Sequence, residues 1–221
     1  MISTATTHIR GRFRGHRLLQ ALVAWYALVW VVTAVHPFDR SDWVLENLLV
    51  AAMVVLLTST YRVFPLSDLS YLIITVFMTL HAVGAHYTYA EVPFGFWMRD
   101  HLGFARNPFD RVVHFSFGLL MAYPIREVFL RVANARGFWA YYLPLDVTLA
   151  FSALYEIMEM VIATIVAPGT GDAWLGTQGD IWDAQKDMGL AALGALICMV
   201  ITATVRTMRA QQPILLAGRD A

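Results

Sequence analysis

Long apolar runs separated by short polar clusters dominate the chain. A helix that crosses a membrane needs about 20 mostly apolar residues. Six segments reach or approach that length: Leu18–Val35, Trp43–Thr60, Leu69–Tyr89, Asp110–Leu130, Phe138–Val166 and Asp180–Val205. Each must close its backbone hydrogen bonds internally within the bilayer, which favours helices. The pattern predicts an all-α polytopic membrane protein. A single membrane domain spans 1–221, with a bundle of about six transmembrane helices over 18–205 and short tails at 1–17 and 206–221.

Composition and charge agree with a membrane location. Hydrophobic residues make up 58% of the chain and charged residues 14%, against roughly 25% charged in soluble domains. The 16 basic and 16 acidic side chains cancel, so the net charge suggests no nucleic-acid partner. The predicted partners are membrane lipids. No protein partner is indicated. Because Cys198 is the one cysteine, an intrachain disulfide and a cysteine-based metal cluster are excluded.

The distribution of basic residues predicts the orientation. Alternating the six segments places these arginines on one side: Arg10, Arg12, Arg14, Arg17, Arg62, Arg126, Arg131, Arg136, Arg206, Arg209 and Arg219. The other side receives Arg40, Arg99, Arg106, Arg111 and Lys186. By the positive-inside rule, both termini are cytoplasmic and the protein is integral to the plasma (inner) membrane.

Two outer loops have unusual compositions. Glu91–Pro108 mixes aromatic, glycine, proline and charged residues, which suits a segment lying in the membrane interface. Ala167–Gly179 is rich in glycine and is expected to bend sharply.

Ionisable residues at membrane depth are costly unless partnered and therefore indicate functional sites. Counting 1.5 Å per helical residue places ten of them in the outer half of the membrane. They are Glu46, His81, His86, Asp110, His114, Glu156, Glu159, Asp180, Asp183 and Asp187. The inner half contains only Asp146 well inside it, which argues against a proton or ion path across the whole bilayer.

Helical spacing groups these residues. Asp110 and His114 share a helix face, as do Glu156 and Glu159. His81 and His86 are about 140° apart, so a regular helix cannot direct both at one point. We favour His86 for the site because Tyr89 is expected on its face, and we expect His81 to bond a neighbouring helix.

Several carboxylates and imidazoles in a low-dielectric site repel each other unless they take up protons, pair with Arg or Lys, or bind a cation. A divalent metal of unspecified identity suits this donor set. A structural salt-bridge network and a transport or ligand-binding site remain alternatives. The candidate residues are, as metal ligands, His86, His114, Glu156, Asp187 and Asp180; as general base, Asp183 or Glu159; and for an anionic headgroup, Arg106 or Arg111 with Tyr89.

Four motifs resemble the YjdF-like inner-membrane family, a domain of unknown function. They are HAVGAHYTYAEVPFG (81–95), RNPFDRVVHFSFG (106–118), SALYEIMEM (152–160) and LGTQGDIWDAQKDM (175–188). The resemblance covers roughly residues 61–200 and implies a polytopic fold without implying a reaction.

The chain is also similar to VanZ-like membrane proteins, through Asp110 and His114, a mid-helix Glu156, and Asp187 before a glycine-rich last helix. Met188 stands where that pattern has Asn. This similarity implies action on lipids or envelope glycolipids.

The function predicted from these residues is a membrane-embedded, metal-dependent enzyme. It would hydrolyse or transfer a group at a phosphoryl or ester centre of a lipid headgroup or lipid-linked envelope intermediate, at the periplasmic or extracellular face. The alternative is a non-enzymatic membrane protein that binds or transports a small cation or lipid.

Overall fold

A computed structural model describes the backbone of residues 13–166 and 177–217, and the side chains of 13–165 and 177–211. Throughout these ranges the secondary structure is helical, with no strand. Contacts divide the chain into two compact units that meet in sequence at Phe109 and Asp110. The basic residues Arg10 and Arg12, most of the predicted bend 167–179, and the last four residues lie outside the described residues.

Residues 13–109 of the N-terminal unit form four α-helices. They are α1 (Arg17–Ala34), α2 (Arg40–Thr60), α3 (Asp68–His86) and the short α4 (Pro93–Leu102). Capping residues set the helix starts: the Asp39 side chain accepts from Ser41 N and Asp42 N at α2, and Ser67 accepts from Ser70 N at α3. These bonds satisfy backbone donors that a helix start leaves unpaired.

The C-terminal unit contains α5 (Phe109–Arg131), α6 (Trp139–Val166) and α7 (Asp183–Ala217). The ring of Tyr141 on α6 lies against Arg126 of α5, whereas Glu156 lies against His114, so α6 runs antiparallel to α5. Ala191 and Ala195 of α7 meet Gly118, and Asp187 meets His114. Residue numbers therefore increase in the same direction along α5 and α7, so the two helices run parallel.

The all-helical membrane fold is confirmed. Among the described residues, five helices are long and apolar enough to cross a membrane: α1, α2, α3, α6 and α7. They begin and end within a few residues of the predicted segments, except that α7 continues to Ala217, beyond the predicted start of the tail at 206. Many apolar side chains are exposed, including Val32 and Leu154, as expected for surfaces that face lipid.

Helix α5 is less apolar than its neighbours. Its 23 residues are long enough to cross a bilayer, but it contains Asp110, Arg111, Arg126, Glu127 and Arg131. Hydropathy alone therefore does not identify it as a span. Because α5 runs parallel to the apolar α7 over about four turns, its packing supports a sixth crossing.

The segment 91–108, described from its composition as an outer loop suited to the membrane interface, contains a short helix that was not predicted. Helix α4 occupies ten of these residues, starting at Pro93 and ending at Gly103 in the left-handed conformation (φ 75°). Proline at the first helical position and glycine just beyond the last are favourable signals for these two ends. The exposed rings of Phe94 and Trp97 stack at 5.6 Å, which suits a helix lying in the interface.

Candidate functional site

A group of three potential metal ligands lies where α5 and α7 begin. Asp110, His114 and Asp187 each offer one ligand atom, and these atoms lie within 4.8 Å of one another. Ligands of one cation at 2.0–2.6 Å are at most about 5 Å apart, so the group is compatible with one ion. Asp187 is 1% exposed. Two carboxylates and one imidazole are therefore held together with little access to water.

Glycine packing explains why α5 and α7 approach closely enough to form this group. A Cβ at Gly118 would collide with the backbone of Ala191, and one at Gly194 would collide with the backbone of Phe115. Ala122 and Ala195, both fully buried, continue the small-residue contact. Small residues let membrane helices pack backbone to backbone, and this contact positions Asp187 beside the first turns of α5.

Glu156 extends the group from α6. Its Oε1 lies 3.4 Å from His114 Nε2, which is also 3.5 Å from Asp110 Oδ1. The ring of Tyr155 meets the His114 ring edge-on at 5.7 Å. We call Asp110, His114, Glu156 and Asp187 the acidic site. Three carboxyl groups with one imidazole in a low-dielectric region require protons or cations to offset their repulsion.

A second carboxyl and a hydroxyl adjoin Glu156 on α6. Glu159 forms a side-chain hydrogen bond with Glu156, and a bond between two carboxyl groups requires a proton on the pair. Ser152 lies one turn before Glu156 on the same face and is 1% exposed. Its Oγ has no hydrogen-bond partner within the described part of the chain. A buried hydroxyl in this position commonly marks a place for water or ligand.

A charge network precedes and opens α7. Arg111 Nη2 donates to Asp180 Oδ2 at 2.5 Å and lies 3.5 Å from Asp183 Oδ1, while Lys186 Nζ donates to Asp180 Oδ2 at 2.6 Å. The hydrogen bond from Lys186, followed by that from Trp182 N, lowers the pKa of Asp180 to about 2. Two cations therefore already neutralise two carboxylates here. Asp180 pairs with them rather than belonging to the acidic site, and Asp183 lies beside Arg111.

The remaining predicted site residues belong to the N-terminal unit. His86 Nδ1 lies 2.8 Å from the carbonyl oxygen of Thr33, which belongs to α1. Arg106 is buried in the segment after α4. The roles predicted for His86, Arg106 and Tyr89 remain predictions.

The expectation that Tyr89 lies on the face of His86 was wrong. The Tyr89 hydroxyl donates to His81 Nδ1 at 2.7 Å, and His81 Nε2 lies 3.3 Å from the Glu46 carbonyl oxygen on α2. Thr88 and Tyr89 both have positive φ, so the chain reverses where α3 ends. The Tyr89 ring then packs back against Gly84. Helical periodicity could not predict this contact because it lies beyond the end of the helix.

The structure adds two residues of the C-terminal unit, Asp110 and Ser152, to the predicted site. Asp110 was noted on the face of His114 but not chosen as a ligand, although its four-residue spacing was a usable signal. Ser152 was not chosen at all. Its four-residue spacing from Glu156 was the signal, but its burial is a property of the folded unit.

The fold and the acidic site are those of an all-α polytopic membrane protein with buried ionisable groups. Residues 18–208 match the family described as "Predicted membrane protein (DUF2238)". The chain is 40% identical over 177 residues to the "Inner membrane protein YjdF" of Escherichia coli (strain K12), an alignment that covers 80% of this chain and 84% of that protein. The chain belongs to this family. No solved structure matches it.

These matches confirm the YjdF-like resemblance and support an integral inner-membrane location. They concern neither the VanZ-like similarity nor a reaction, a metal, a lipid substrate or the side of the membrane that the site faces.

Proposed function

We propose that this protein is a membrane-embedded, metal-dependent enzyme whose acidic site transfers or hydrolyses a group on a lipid headgroup or lipid-linked envelope intermediate at the outer face. The proposal depends on one observation: the ligand atoms of Asp110, His114 and Asp187 lie within 4.8 Å of one another, and His114 and Asp187 are buried. Carboxylate and imidazole donors suit divalent first-row metals and leave coordination positions for water or substrate.

A cation at these three residues would make a bound water more acidic and would polarise a phosphoryl or ester oxygen. The Glu156–Glu159 pair lies against His114 and is suited to accept a proton from that water. The water oxygen would bond to the phosphorus or the acyl carbon, the bond from that atom to its leaving oxygen would break, and the proton held by the pair would pass to that leaving oxygen. Asp183, the other predicted base, faces Arg111, so we prefer Glu159 in that role.

Charge placement favours an enzyme over a cation transporter. The C-terminal unit that contains the acidic site also contains Arg126, which is 7% exposed and about 18 Å further along α5 from His114. The eleven residues of α5 between His114 and Arg126 include no charged side chain, and a stretch without charged ligands opposes the passage of a cation toward that end. The acidic site is therefore better suited to holding an ion than to passing it through this unit.

Metal analysis tests the proposal most directly. Purified protein is expected to retain a near-stoichiometric divalent metal through dialysis, and Asp187→Asn to lose both metal and thermal stability. Asp146→Asn is the matched control, because Asp146 bonds Tyr142 within α6 instead of joining the acidic site. Asp183→Asn should weaken the Arg111 network with a smaller effect on metal content. Equal metal content in the wild type and Asp187→Asn would contradict the proposal.

Turnover separates the enzyme from the non-enzymatic alternative. The metal-loaded protein is incubated with vesicles of phosphatidylethanolamine and phosphatidylglycerol, and released headgroups are measured by mass spectrometry. Headgroup release that chelation and Asp187→Asn both abolish supports this substrate class. If the protein holds stoichiometric metal but releases no headgroup from these lipids or from a lipid-linked sugar phosphate, the non-enzymatic alternative, a cation-binding protein, is favoured.

A further inference from the structure

Arg126 is a buried cation far from the acidic site. It lies near the C-terminal end of α5, is 7% exposed, and its guanidinium lies 4.6 Å from the centre of the Tyr141 ring. Tyr141 packs against a cluster formed by Ala122, Ala195, Cys198 and Met199. The surroundings of the charge are therefore mostly apolar.

The hydrogen-bonding atoms of Arg126 point to a particular kind of ligand. Within the described part of the chain, its Nε and Nη2 atoms are buried and have no hydrogen-bond partner. These two N–H groups form one edge of the guanidinium, the edge that binds two oxygens of a phosphate or carboxylate in parallel. Because Tyr141 covers a face of the guanidinium, that edge remains available. The nearby Glu127 carboxylate pairs with Arg131 at 2.7 Å.

The level of Arg126 in the bundle suits a lipid phosphate. Tyr141 belongs to the first turn of α6. Beside it, the exposed ring of Phe138 stacks on that of Tyr142, and the exposed Trp139 ring meets both edge-on. Exposed aromatic clusters of this kind mark the headgroup level of a membrane. A buried charge without a counter-ion is strongly unfavourable, and phosphates are the abundant anions at this level.

We propose that the Nε–Nη2 edge of Arg126 binds a phosphate group at the end of the C-terminal unit opposite the acidic site, and that an anionic phospholipid supplies it. The site needs no metal, and it concerns the lipid that surrounds the protein rather than the substrate of the acidic site.

Thermal unfolding in dodecyl maltoside micelles tests this inference with three additives: phosphatidylglycerol, phosphatidylcholine and inorganic phosphate. Phosphatidylglycerol should raise the Tm of the wild type by roughly 5 °C relative to phosphatidylcholine, if it is present well above its Kd. Arg126→Met should lose this increment, and Arg126→Lys should retain only part, because lysine keeps the charge without the two-point edge. Arg131→Met is the matched control and should keep the full increment, since Arg131 is 37% exposed and already paired.

A second measurement guards against simple misfolding. Without added lipid, Arg126→Met should be at least as stable as the wild type, because it removes an uncompensated buried charge while keeping apolar volume. A lower Tm of this variant in plain micelles would overturn the inference. So would an increment from phosphatidylglycerol that persists in Arg126→Met. An equal increment from inorganic phosphate would overturn the lipid as its source.

Discussion

Replacing Gly194 with alanine should separate α5 from α7. The new Cβ would collide with the Phe115 carbonyl oxygen and lie 2.7 Å from Leu119 N. Both obstacles are backbone atoms of α5, so a side-chain rotation cannot relieve them. Restoring ordinary carbon contacts of about 3.5 Å requires the helices to move apart by about 1 Å.

The expected cost is large for the addition of one methyl group. Overpacking a close-packed contact costs about 1–3 kcal/mol, and the upper end applies where backbone meets backbone. At roughly 2–4 °C per kcal/mol for a chain of this size, the Tm should fall by about 6–12 °C. Metal sites tolerate ligand displacements of only about 0.2 Å, so the same variant should also lose metal although Asp110, His114 and Asp187 are unchanged.

Thermal unfolding in detergent, with metal content measured in parallel, provides the assay. Gly189→Ala on the same helix is the matched control, because a Cβ there meets nothing within 4 Å. Alanine is favoured over glycine inside a helix by roughly 0.5–1 kcal/mol, so this control should be slightly more stable than the wild type. If Gly194→Ala matches Gly189→Ala in Tm, the close contact between α5 and α7 does not exist and the reasoning fails.

Three further predictions concern other parts of the chain. Tyr89→Phe should lower stability by about 1–3 kcal/mol in denaturant unfolding, because it leaves His81 Nδ1 buried without its donor; an unchanged midpoint would contradict this contact. The lowered pKa of Asp180 means that its ion pair with Lys186 stabilises the fold above about pH 4 and that this contribution is lost as pH falls toward 2. The stability difference between wild type and Asp180→Asn should follow that course, and a difference independent of pH over this range would refute it. A reporter active only in the periplasm and fused after Ala221 should be inactive, because arginine placement predicts a cytoplasmic C-terminus; an active fusion would invert the orientation and the side of the acidic site.

Much of the architecture could be predicted from the sequence because its causes are local. Each apolar run must form a helix in lipid whatever surrounds it, so the bounds of α1, α2, α3 and α6 could be predicted within a few residues. The pairing of Asp110 with His114 follows from their four-residue spacing on one helix. Helix α4 was missed because its ten residues mix polar and apolar side chains without a clear period, although Pro93 and Gly103 marked its ends.

Which polar groups meet depends on the packing of the helices. Asp187 joins His114 because Gly118 and Gly194 let two helices far apart in sequence approach backbone to backbone, and spacing along one helix carries no information about its rotation against another. The turn after α3 likewise directs Tyr89 to His81. The apolar runs alone show that ionisable groups lie within the predicted spans and must be compensated. Their partners follow from the packing of the helices, because a hydrogen bond or a metal ligand requires atoms to be placed within fractions of an ångström.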